Sequence, residues 1–214
     1  MPDSEAWDEQ DLHAWGVLAP LRGAYLPWSS ASMRPSGLVA VLNEVALREP
    51  ALVVECGSGV STLFLARLLR ERGTGRLVSV EHDPGWADWV RRTVAAEGLE
   101  GQTTVLHAAL GADGWYATEA LATALGDEEV GLLLVDGPPA CGTGQGLARE
   151  PALPWFLPRL AAGAAVVLDD AGRPGEREVL ARWEAAGTLR FEVLPRRGGI
   201  AIGRVPTDAP AFSI

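Results

Sequence analysis

Short apolar runs alternate with stretches of helical spacing along the chain from Leu52 onward. The apolar runs are rich in Val and Leu and predict strands at Leu52–Cys56, Leu77–Glu81, Thr103–His107, Gly131–Val135 and Ala164–Leu168. After each run, apolar residues recur at helical spacing and predict helices at Val60–Arg72, Gly85–Glu97, Trp115–Leu125, Gly146–Leu160 and Gly175–Ala186. Strand–helix units in succession predict an α/β fold, a doubly wound sheet with helices on both faces.

The two ends of the chain depart from this alternation. The strands predicted at Leu189–Leu194 and Gly199–Val205 are too close together for a crossover helix, so we expect an antiparallel hairpin there. The predicted sheet is therefore seven-stranded and mostly parallel, with an antiparallel C-terminal strand. Before the first strand, apolar residues on one face predict a helix from Arg34 to Arg48. This helix would belong to an N-terminal helical segment at residues 1–50.

The composition limits the kind of protein this can be. The 214 residues are 48% hydrophobic, which suits one large domain with a full core. A net charge of −10 argues against a nucleic-acid or anionic-membrane partner, because phosphate groups are bound by Lys and Arg. The two cysteines are too few for a disulfide scaffold or a zinc site. The acidic start lacks an apolar signal core and no apolar run reaches about 20 residues, so we expect a cytoplasmic protein.

A glycine turn follows the first strand and precedes a helix. Gly57 and Gly59 would let the backbone approach a ligand closely, and the free N–H groups around Ser61 at the helix start favour an anion. Glu55, inside the same motif, offers a carboxylate for a cationic amine. Together these groups suit a zwitterionic amino-acid end, such as the methionine part of S-adenosylmethionine.

Glu81 ends the second predicted strand, about 20 residues after Gly59, where an acidic side chain can bind the hydroxyls of a ribose. The alternative is a carboxylate that is merely exposed at a strand end. The glycine turn alone does not decide between ligands. A phosphate loop is excluded because no Gly-Lys-Ser/Thr follows, and Thr62 stands where a dinucleotide fold would have a third glycine.

Acidic residues also follow the fourth and fifth predicted strands. Asp136 ends one strand, and Asp169 and Asp170 end the next, so we expect the three carboxylates to converge at one edge of the sheet. Carboxylates this close raise each other's pKa unless a cation joins them, and oxygen ligands favour Mg²⁺, Mn²⁺ or Ca²⁺. The alternative is that Asp169 or Asp170 caps the next helix and Asp136 touches only a cofactor.

The order of these motifs resembles the class I S-adenosylmethionine-dependent methyltransferases, with Rossmann-like folds. The resemblance covers Leu38 to Val205 and rests on the Glu-x-Gly-x-Gly turn, the acidic second strand end, Val-Asp-Gly-Pro-Pro and Leu-Asp-Asp. It implies that the methionine end of the cofactor is held by Glu55, Gly57, Gly59 and Ser61. It also implies that Glu81 holds the ribose, that His82 and Ala109 border the adenine, and that Asp136 contacts the cofactor.

The acidic groups further resemble the metal-dependent O-methyltransferases of the catechol and macrocin types. By that resemblance Asp136, Asp169 and Asp170 would bind Mg²⁺ (or Mn²⁺). Because an acceptor hydroxyl has to lose its proton and arginine stays protonated in proteins, we expect the metal to activate the hydroxyl, with Asp136 or Asp169 as the direct proton acceptor. Two features differ. The catechol type has a lysine base just past its first metal aspartate, whereas this chain has no lysine. The [Asp/Asn]-Pro-Pro-aromatic loop of amine and nucleobase methyltransferases is also missing, because glycine follows Asp136 and Ala140 follows the prolines.

The sequence therefore predicts a methyl transfer from S-adenosylmethionine to a hydroxyl of a small molecule, assisted by a divalent metal. The alternatives are a metal-free N-, C- or carboxyl methyltransferase and a non-catalytic S-adenosylmethionine-binding module. Residues 1–50 would form a helical or lid segment and residues 51–214 the Rossmann-like methyltransferase domain. A small-molecule acceptor is the expected partner, with no nucleic acid or membrane, and a homodimer is left open.

Several side chains near the predicted site have two alternative interpretations. Tyr25, Trp28 and Met33 line a lid over the acceptor or pack the N-terminal segment onto the sheet. Arg149, Arg173 and Glu176 contact substrate or, as the default, lie in solvated loops and helix starts. Trp115 and Tyr116 flank adenine or simply begin a helix. His107 is expected to be a satisfied polar residue rather than a base.

Overall fold

The structure is a computed structural model that describes residues 6–23, 27–142, 144–187 and 189–207. The strands are β1 Leu52–Cys56, β2 Arg76–Glu81, β3 Thr103–His107, β4 Val130–Val135, β5 Leu160–Asp169, β6 Phe191–Leu194 and β7 Ile200–Arg204. The helices are α1 Glu9–Val17, α2 Pro35–Arg48, α3 Val60–Arg72, α4 Pro84–Ala96, α5 Thr118–Leu125, α6 Ala152–Phe156 and α7 Pro174–Ala185. Tyr25 lies outside the described residues. Within the described ranges, no helix is long and apolar enough to cross a membrane.

The seven strands form one sheet in the order β3-β2-β1-β4-β5-β7-β6. β1 to β5 are mutually parallel, whereas β7 runs antiparallel to β5 and β6 antiparallel to β7. The predicted mostly parallel, Rossmann-like sheet is thereby confirmed. Cys56 lies level with Val80 and Val135, and Val135 lies level with Leu168. This register places the ends of four parallel strands, and the residues that follow them, at one edge of the sheet.

Helices cover both faces of the sheet, as the alternating pattern predicts. On one face, α2, α3 and α4 bury side chains such as Leu38, Phe64 and Val90 against the strands. On the other face, α5, α6 and α7 bury Leu121, Phe156 and Trp183. Burying one such side chain stabilises the fold by roughly 1.5–3 kcal/mol, so the two layers hold the strand ends in fixed relative positions.

The N-terminal segment packs on the α2–α3 side of the sheet. The rings of Trp7, Trp15 and Trp28 lie 5.3–5.4 Å apart, and Trp28 contacts Phe64 of α3 at 6.3 Å. Of the two interpretations of Trp28, the one in which it packs the N-terminal segment onto the fold is therefore correct. The sequence analysis did not predict α1. Its buried residue Asp11 accepts hydrogen bonds from the backbone and hydroxyl of Ser36 at the start of α2.

Two predicted helices have different bounds for identifiable reasons. The helix predicted over Gly146–Leu160 is wrong, because Pro151, Pro154 and Pro158 interrupt that stretch. The chain forms turns there, then the five-residue α6 and a short 3₁₀ helix. The helix predicted from Trp115 begins instead at Thr118, because Tyr116 pairs with Leu110 in an antiparallel bridge.

Candidate active site

A cavity opens at the carboxyl ends of the parallel strands. Its volume is about 440 Å³. Its walls come from the turn after β1, the ends of β2 and β4, and the loop at residues 29–33 before α2. It lies where β1 and β4 adjoin, at the point where the strand order reverses. Open α/β sheets bind ligands at this position, and the volume suits a small organic molecule.

The turn after β1 is shaped by Gly57. Its φ of +94° lies in the left-handed region, and a Cβ there would come within 3.0 Å of the backbone of Asp136 and Gly137. A side chain would be both strained and in collision, so only glycine fits. A Cβ on Gly59 would meet nothing within 4 Å. α3 begins directly afterwards, and Ser61 in its first turn lines the cavity, where N–H groups without intrahelical partners favour an anion.

Glu55 lies behind the glycine turn rather than in the cavity wall. Its side chain is fully buried, and its Oε2 accepts hydrogen bonds of 2.5 Å from the hydroxyls of Thr62 and Ser79. Its Oε1 is buried and has no hydrogen-bond partner in the part of the chain that the structure describes. Burial raises the pKa of Glu55 to about 7, although the neighbouring hydroxyls oppose the rise. A direct contact between Glu55 and a ligand amine stays a prediction.

Glu81 forms part of the cavity wall and is held by four donors. Its Oε1 accepts from the backbone N–H groups of His82 at 2.8 Å and Asp83 at 2.9 Å. Its Oε2 accepts from the backbone and hydroxyl of Ser58 at 3.1 and 3.0 Å. These bonds fix the carboxylate at the end of β2 and join it to the glycine turn.

Two histidines and one alanine lie near this end of the cavity. His82 lines the cavity, and its Nδ1 is 2.8 Å from Oε1 of Glu81. His107 is exposed, with Nε2 at 3.1 Å from the carbonyl of His82. Ala109 lies outside the cavity wall, and its carbonyl accepts a hydrogen bond from Ala117. A contact between Ala109 and adenine stays a prediction.

The acidic residues that follow β4 and β5 converge as expected. Asp136, Asp169 and Asp170 each present a carboxylate oxygen within 4.8 Å of the others. Burial, reinforced by the charge of Asp169, raises the pKa of Asp136 well above its usual range. Burial and the charge of Asp170 raise the pKa of Asp169 to about 7. Asp136 and Asp170 line the cavity, and Asp169 lies beside them.

Arg149 supplies a buried cation to this cluster. Its side chain is 4% exposed, so the default interpretation, in which Arg149 is a solvated loop residue, is wrong. The guanidinium donates to the backbone carbonyls of Asp136 at 2.8 Å, Asp169 at 3.1 Å and Pro138 at 3.3 Å. It also lies 3.3 Å from Oδ1 of Asp136 and 3.4 Å from Oδ2 of Asp170. Arg149 therefore ties together the segments that follow β4 and β5.

Two further residues extend the cluster toward α7. Arg173 pairs with Oδ2 of Asp170 at 2.7 Å. Glu176 is 1% exposed, and its Oε1 lies 3.6 Å from Arg149 and 3.8 Å from Arg173. Burial raises the pKa of Glu176, and Arg149 opposes the rise. Glu176 is thus buried rather than solvated, and the cluster contains four carboxylates and two guanidinium groups.

A profile of the family described as "Methyltransferase domain" matches residues 54–171, more than half of the chain. The chain belongs to this family. The matched range contains the glycine turn, Glu81, Asp136, Asp169 and Asp170, which confirms the resemblance to class I S-adenosylmethionine-dependent methyltransferases. No curated protein sequence matches the chain.

Solved methyltransferases share the fold of this methyltransferase. A Podospora anserina methyltransferase with bound SAH is 16% identical, with a TM-score of 0.66 over 95% of this chain and 90% of that one. An O-methyltransferase from Bacillus cereus in complex with SAH is 18% identical, with a TM-score of 0.64 over 94% and 92%. The O-methyltransferase TomG of Streptomyces achromogenes, involved in tomaymycin synthesis, is 19% identical, with a TM-score of 0.60 over 94% and 91%.

The methyltransferase cavity has features that fit S-adenosylmethionine. Tyr116 lines the cavity, and its buried hydroxyl has no hydrogen-bond partner among the described residues. The glycine at position 137 leaves room for this hydroxyl, because a Cβ there would collide with it. Burial raises the pKa of Tyr116 well above its usual range, so the hydroxyl keeps its proton and can donate. An unpaired donor beside a glycine turn and Glu81 suits a polar cofactor.

Most of the predicted site residues meet at this one cavity. Those in its wall are Gly57, Gly59, Ser61, Glu81, His82, Asp136 and Asp170. Glu55, Ala109 and Asp169 lie outside the wall. Met33 lines the cavity, as the lid interpretation expects, and is also buried in the core, as the packing interpretation expects. The place of Arg149 in the cluster was not predicted, although one signal was available: three converging carboxylates require a cation, and every fixed cationic side chain in this chain is an arginine.

Proposed function

We propose that this methyltransferase moves the methyl group of S-adenosylmethionine to a hydroxyl of a small molecule. The observation that carries the proposal is the acidic cluster, which adjoins the cavity beside the glycine turn. A hydroxyl is a weak nucleophile until it loses its proton, and a carboxylate with a raised pKa is suited to accept that proton at neutral pH. Two solved methyltransferases of the same fold are described as O-methyltransferases, which agrees with this proposal.

The chain's own residues would bind the cofactor at one end of the cavity. S-adenosylmethionine, when bound, supplies a methyl group made electrophilic by the sulfonium. The first turn of α3 would bind the carboxylate of its methionine part through free N–H groups. Glu81 would bind the ribose hydroxyls, and Ser58 and the backbone after β2 hold Glu81 in place for that contact.

Asp136 is the proposed proton acceptor, and Asp169 acts through it. Asp136 lines the cavity, and the hydroxyl proton of the acceptor would pass to one of its carboxylate oxygens. Asp169 shares the same buried charge cluster and influences how readily Asp136 holds that proton. His82 is paired with Glu81, and His107 is exposed behind it, so neither histidine adjoins the acidic cluster.

The predicted divalent metal has to share this cluster with Arg149. The three aspartates offer oxygens within 4.8 Å of one another, which is the feature that led to the prediction of Mg²⁺ or Mn²⁺. The buried guanidinium, however, already lies 3.3–3.4 Å from oxygens of Asp136 and Asp170. The residues present therefore fit a guanidinium better than an added metal ion. Metal assistance stays a prediction of the sequence, and we assign no step to it.

We infer a small-molecule acceptor for two reasons. The cavity of about 440 Å³ has to contain the cofactor as well, so a compact acceptor fits best. The net charge of −10 disfavours nucleic acid as an acceptor. The cytoplasmic location and the homodimer remain expectations. A metal-free N-, C- or carboxyl methyltransferase is the second candidate, because amines and carboxylates in particular need less help with deprotonation than a hydroxyl.

The proposal is tested in two steps. Titration calorimetry with S-adenosylhomocysteine is expected to show binding at one site per chain. Methyl transfer is then measured on a panel of phenols, sugars, carboxylic acids and amines, with Asp136→Asn as the variant. Transfer to hydroxyls that falls at least a hundredfold in Asp136→Asn supports the proposal. Transfer only to amines or carboxylates would establish the second candidate, and cofactor binding without any transfer would indicate a non-catalytic module.

A further inference from the structure

We propose that Arg149 is the resident cation of the acidic cluster and takes the place of the divalent ion, so that this methyltransferase works without a metal. The inference rests on the proposed function, since it concerns how the same cluster assists transfer to a hydroxyl. It goes beyond that function by assigning a positioning residue to the reaction.

Backbone groups hold the guanidinium in place. Its three nitrogens donate to the carbonyls of Asp136, Pro138 and Asp169, at 2.8–3.3 Å. These carbonyls belong to the ends of β4 and β5 and to the loop between them, which the sheet fixes. The planar guanidinium of an arginine can donate to several acceptors at once. These simultaneous bonds hold Arg149 in one position, unlike a mobile side chain on the surface. Arg149 is therefore a fixed structural element where β4 and β5 end.

The guanidinium uses the oxygens that a metal would need. It lies 3.3 Å from Oδ1 of Asp136 and 3.4 Å from Oδ2 of Asp170, two of the three predicted ligands. Arg173 lies 2.7 Å from the same oxygen of Asp170. A divalent ion bound to these oxygens would lie close to two positive charges. The Arg149 side chain is 4% exposed, so water provides little screening of that repulsion.

Glu176 supports Arg149 from the side of α7. Its buried Oε1 lies 3.6 Å from the guanidinium, which adds a fourth carboxylate to the surroundings of the same cation. Removing Arg149 would leave these largely buried carboxylates with Arg173 alone as their counter-charge, an arrangement that proteins avoid by taking up another cation or protons. A variant that lacks the guanidinium should consequently gain affinity for a divalent ion.

The role in the reaction is to position the proton acceptor. Arg149 contacts both the backbone carbonyl and the carboxylate of Asp136. It therefore sets where that carboxylate stands in the cavity wall, while the charge of the cluster sets how strongly it binds a proton. Arg149 acts through Asp136 and not on the acceptor itself. Its loss should lower kcat, with a smaller effect on cofactor affinity.

The test compares metal binding in the wild type, Arg149→Met and Arg67→Met. Arg67 is the matched control, because it is also buried, 3% exposed, and paired with the carboxylate of Glu97 at 2.5 Å away from the cavity. Each protein is dialysed against EDTA and titrated with Mn²⁺ by calorimetry and electron paramagnetic resonance. We expect no stoichiometric Mn²⁺ binding below millimolar concentrations in the wild type and Arg67→Met, and binding in Arg149→Met.

Activity and cofactor binding complete the design. The chelated wild type is expected to retain full methyl transfer, and Arg149→Met to lose at least tenfold in kcat. Stoichiometric Mn²⁺ binding by the wild type, or loss of activity on chelation with recovery in Mg²⁺, would overturn the inference. So would a folded Arg149→Met that matches the wild type in both metal binding and kcat. The wild-type measurements decide the matter even where Arg149→Met fails to fold. Absence of S-adenosylhomocysteine binding would instead count against the proposed function.

Discussion

The hydroxyl of Thr62 donates a hydrogen bond of 2.5 Å to Oε2 of Glu55, joining the first turn of α3 to the end of β1. The bond lies directly behind the glycine turn, in a fully buried position. The carboxylate is therefore part of the support of the cofactor site, and its protonation state bears on the stability of that support.

The first prediction concerns the pH dependence of unfolding. Burial raises the pKa of Glu55 from 4.5 to about 7, so the native state binds a proton that the unfolded state releases between these values. The stabilisation is present below about pH 4.5 and is lost as the pH rises through about 7. Replacing Glu55 with Gln should raise the free energy of unfolding at pH 8 by about 1–3 kcal/mol and change it little at pH 5.

Chemical denaturation at both pH values measures this difference, and Glu44→Gln is the matched control. Burial alone would raise the pKa of Glu44, but its bonds to Arg48 and Arg204 outweigh that effect and lower the pKa. Its stabilisation is therefore present above its unfolded pKa, and the Gln variant should be destabilised at pH 8. If Glu55→Gln, like Glu44→Gln, is less stable than the wild type at pH 8, then the pKa of Glu55 is not raised in the native state.

The second prediction concerns Gly57. Alanine there must adopt a φ of +94° and would press its Cβ against the backbone of Asp136 and Gly137. We expect Gly57→Ala to lower the melting temperature and to lose most S-adenosylhomocysteine binding, measured by calorimetry at a temperature where it remains folded. Gly98→Ala is the control, because its φ is +65° but a Cβ meets nothing within 4 Å. Gly98→Ala should show the strain alone, roughly 1 kcal/mol, with unchanged binding.

The third prediction concerns the unpaired hydroxyl of Tyr116. Because this hydroxyl has no partner within the described structure, Tyr116→Phe should not destabilise the protein. If the hydroxyl donates to the cofactor, the Kd for S-adenosylhomocysteine should rise about three- to tenfold. Thr103→Val removes another buried, unpaired hydroxyl outside the cavity and should leave the Kd unchanged. Equal Kd values for wild type and Tyr116→Phe would remove Tyr116 from the cofactor site.

The fourth prediction concerns the proton acceptor. A carboxylate accepts a proton only when ionised, and burial raises the pKa of Asp169 to about 7 and that of Asp136 higher than its usual range. The kcat should therefore rise with pH through the neutral range. Asp136→Asn should lose at least about a hundredfold in kcat, the lower end for a general base. His107→Asn should lose less than about tenfold, and a thousandfold loss there with intact cofactor binding would make His107 the base.

The sequence predicted the strands and their ends well because local pattern decides them. β1 and α3 have the predicted bounds, since an apolar run, a glycine turn and a helical repeat follow one another without competing signals. The convergence of Asp136 with Asp169 also followed from topology alone, because parallel strand ends share one edge.

The residues that the sequence did not predict correctly have positions that depend on long-range contacts. Arg149 lies in a stretch of turns and prolines, and its burial results from carbonyls that follow two different strands. Nothing in the local sequence indicates such a location. The hydroxyl of Tyr116 likewise lies against Gly137, a glycine far from it in the chain, where a Cβ would collide with it.

The loop at residues 29–33 borders the cavity, while Trp28 just before it is anchored on Phe64 of α3. The parts that would bind the cofactor, by contrast, come from the strand ends of the sheet. We expect this loop to contact the acceptor, as the lid interpretation holds, so acceptor choice and cofactor binding would be encoded in separate stretches of the chain. Exchange of this loop between related enzymes would then change acceptor specificity while the glycine turn and Glu81 are left untouched.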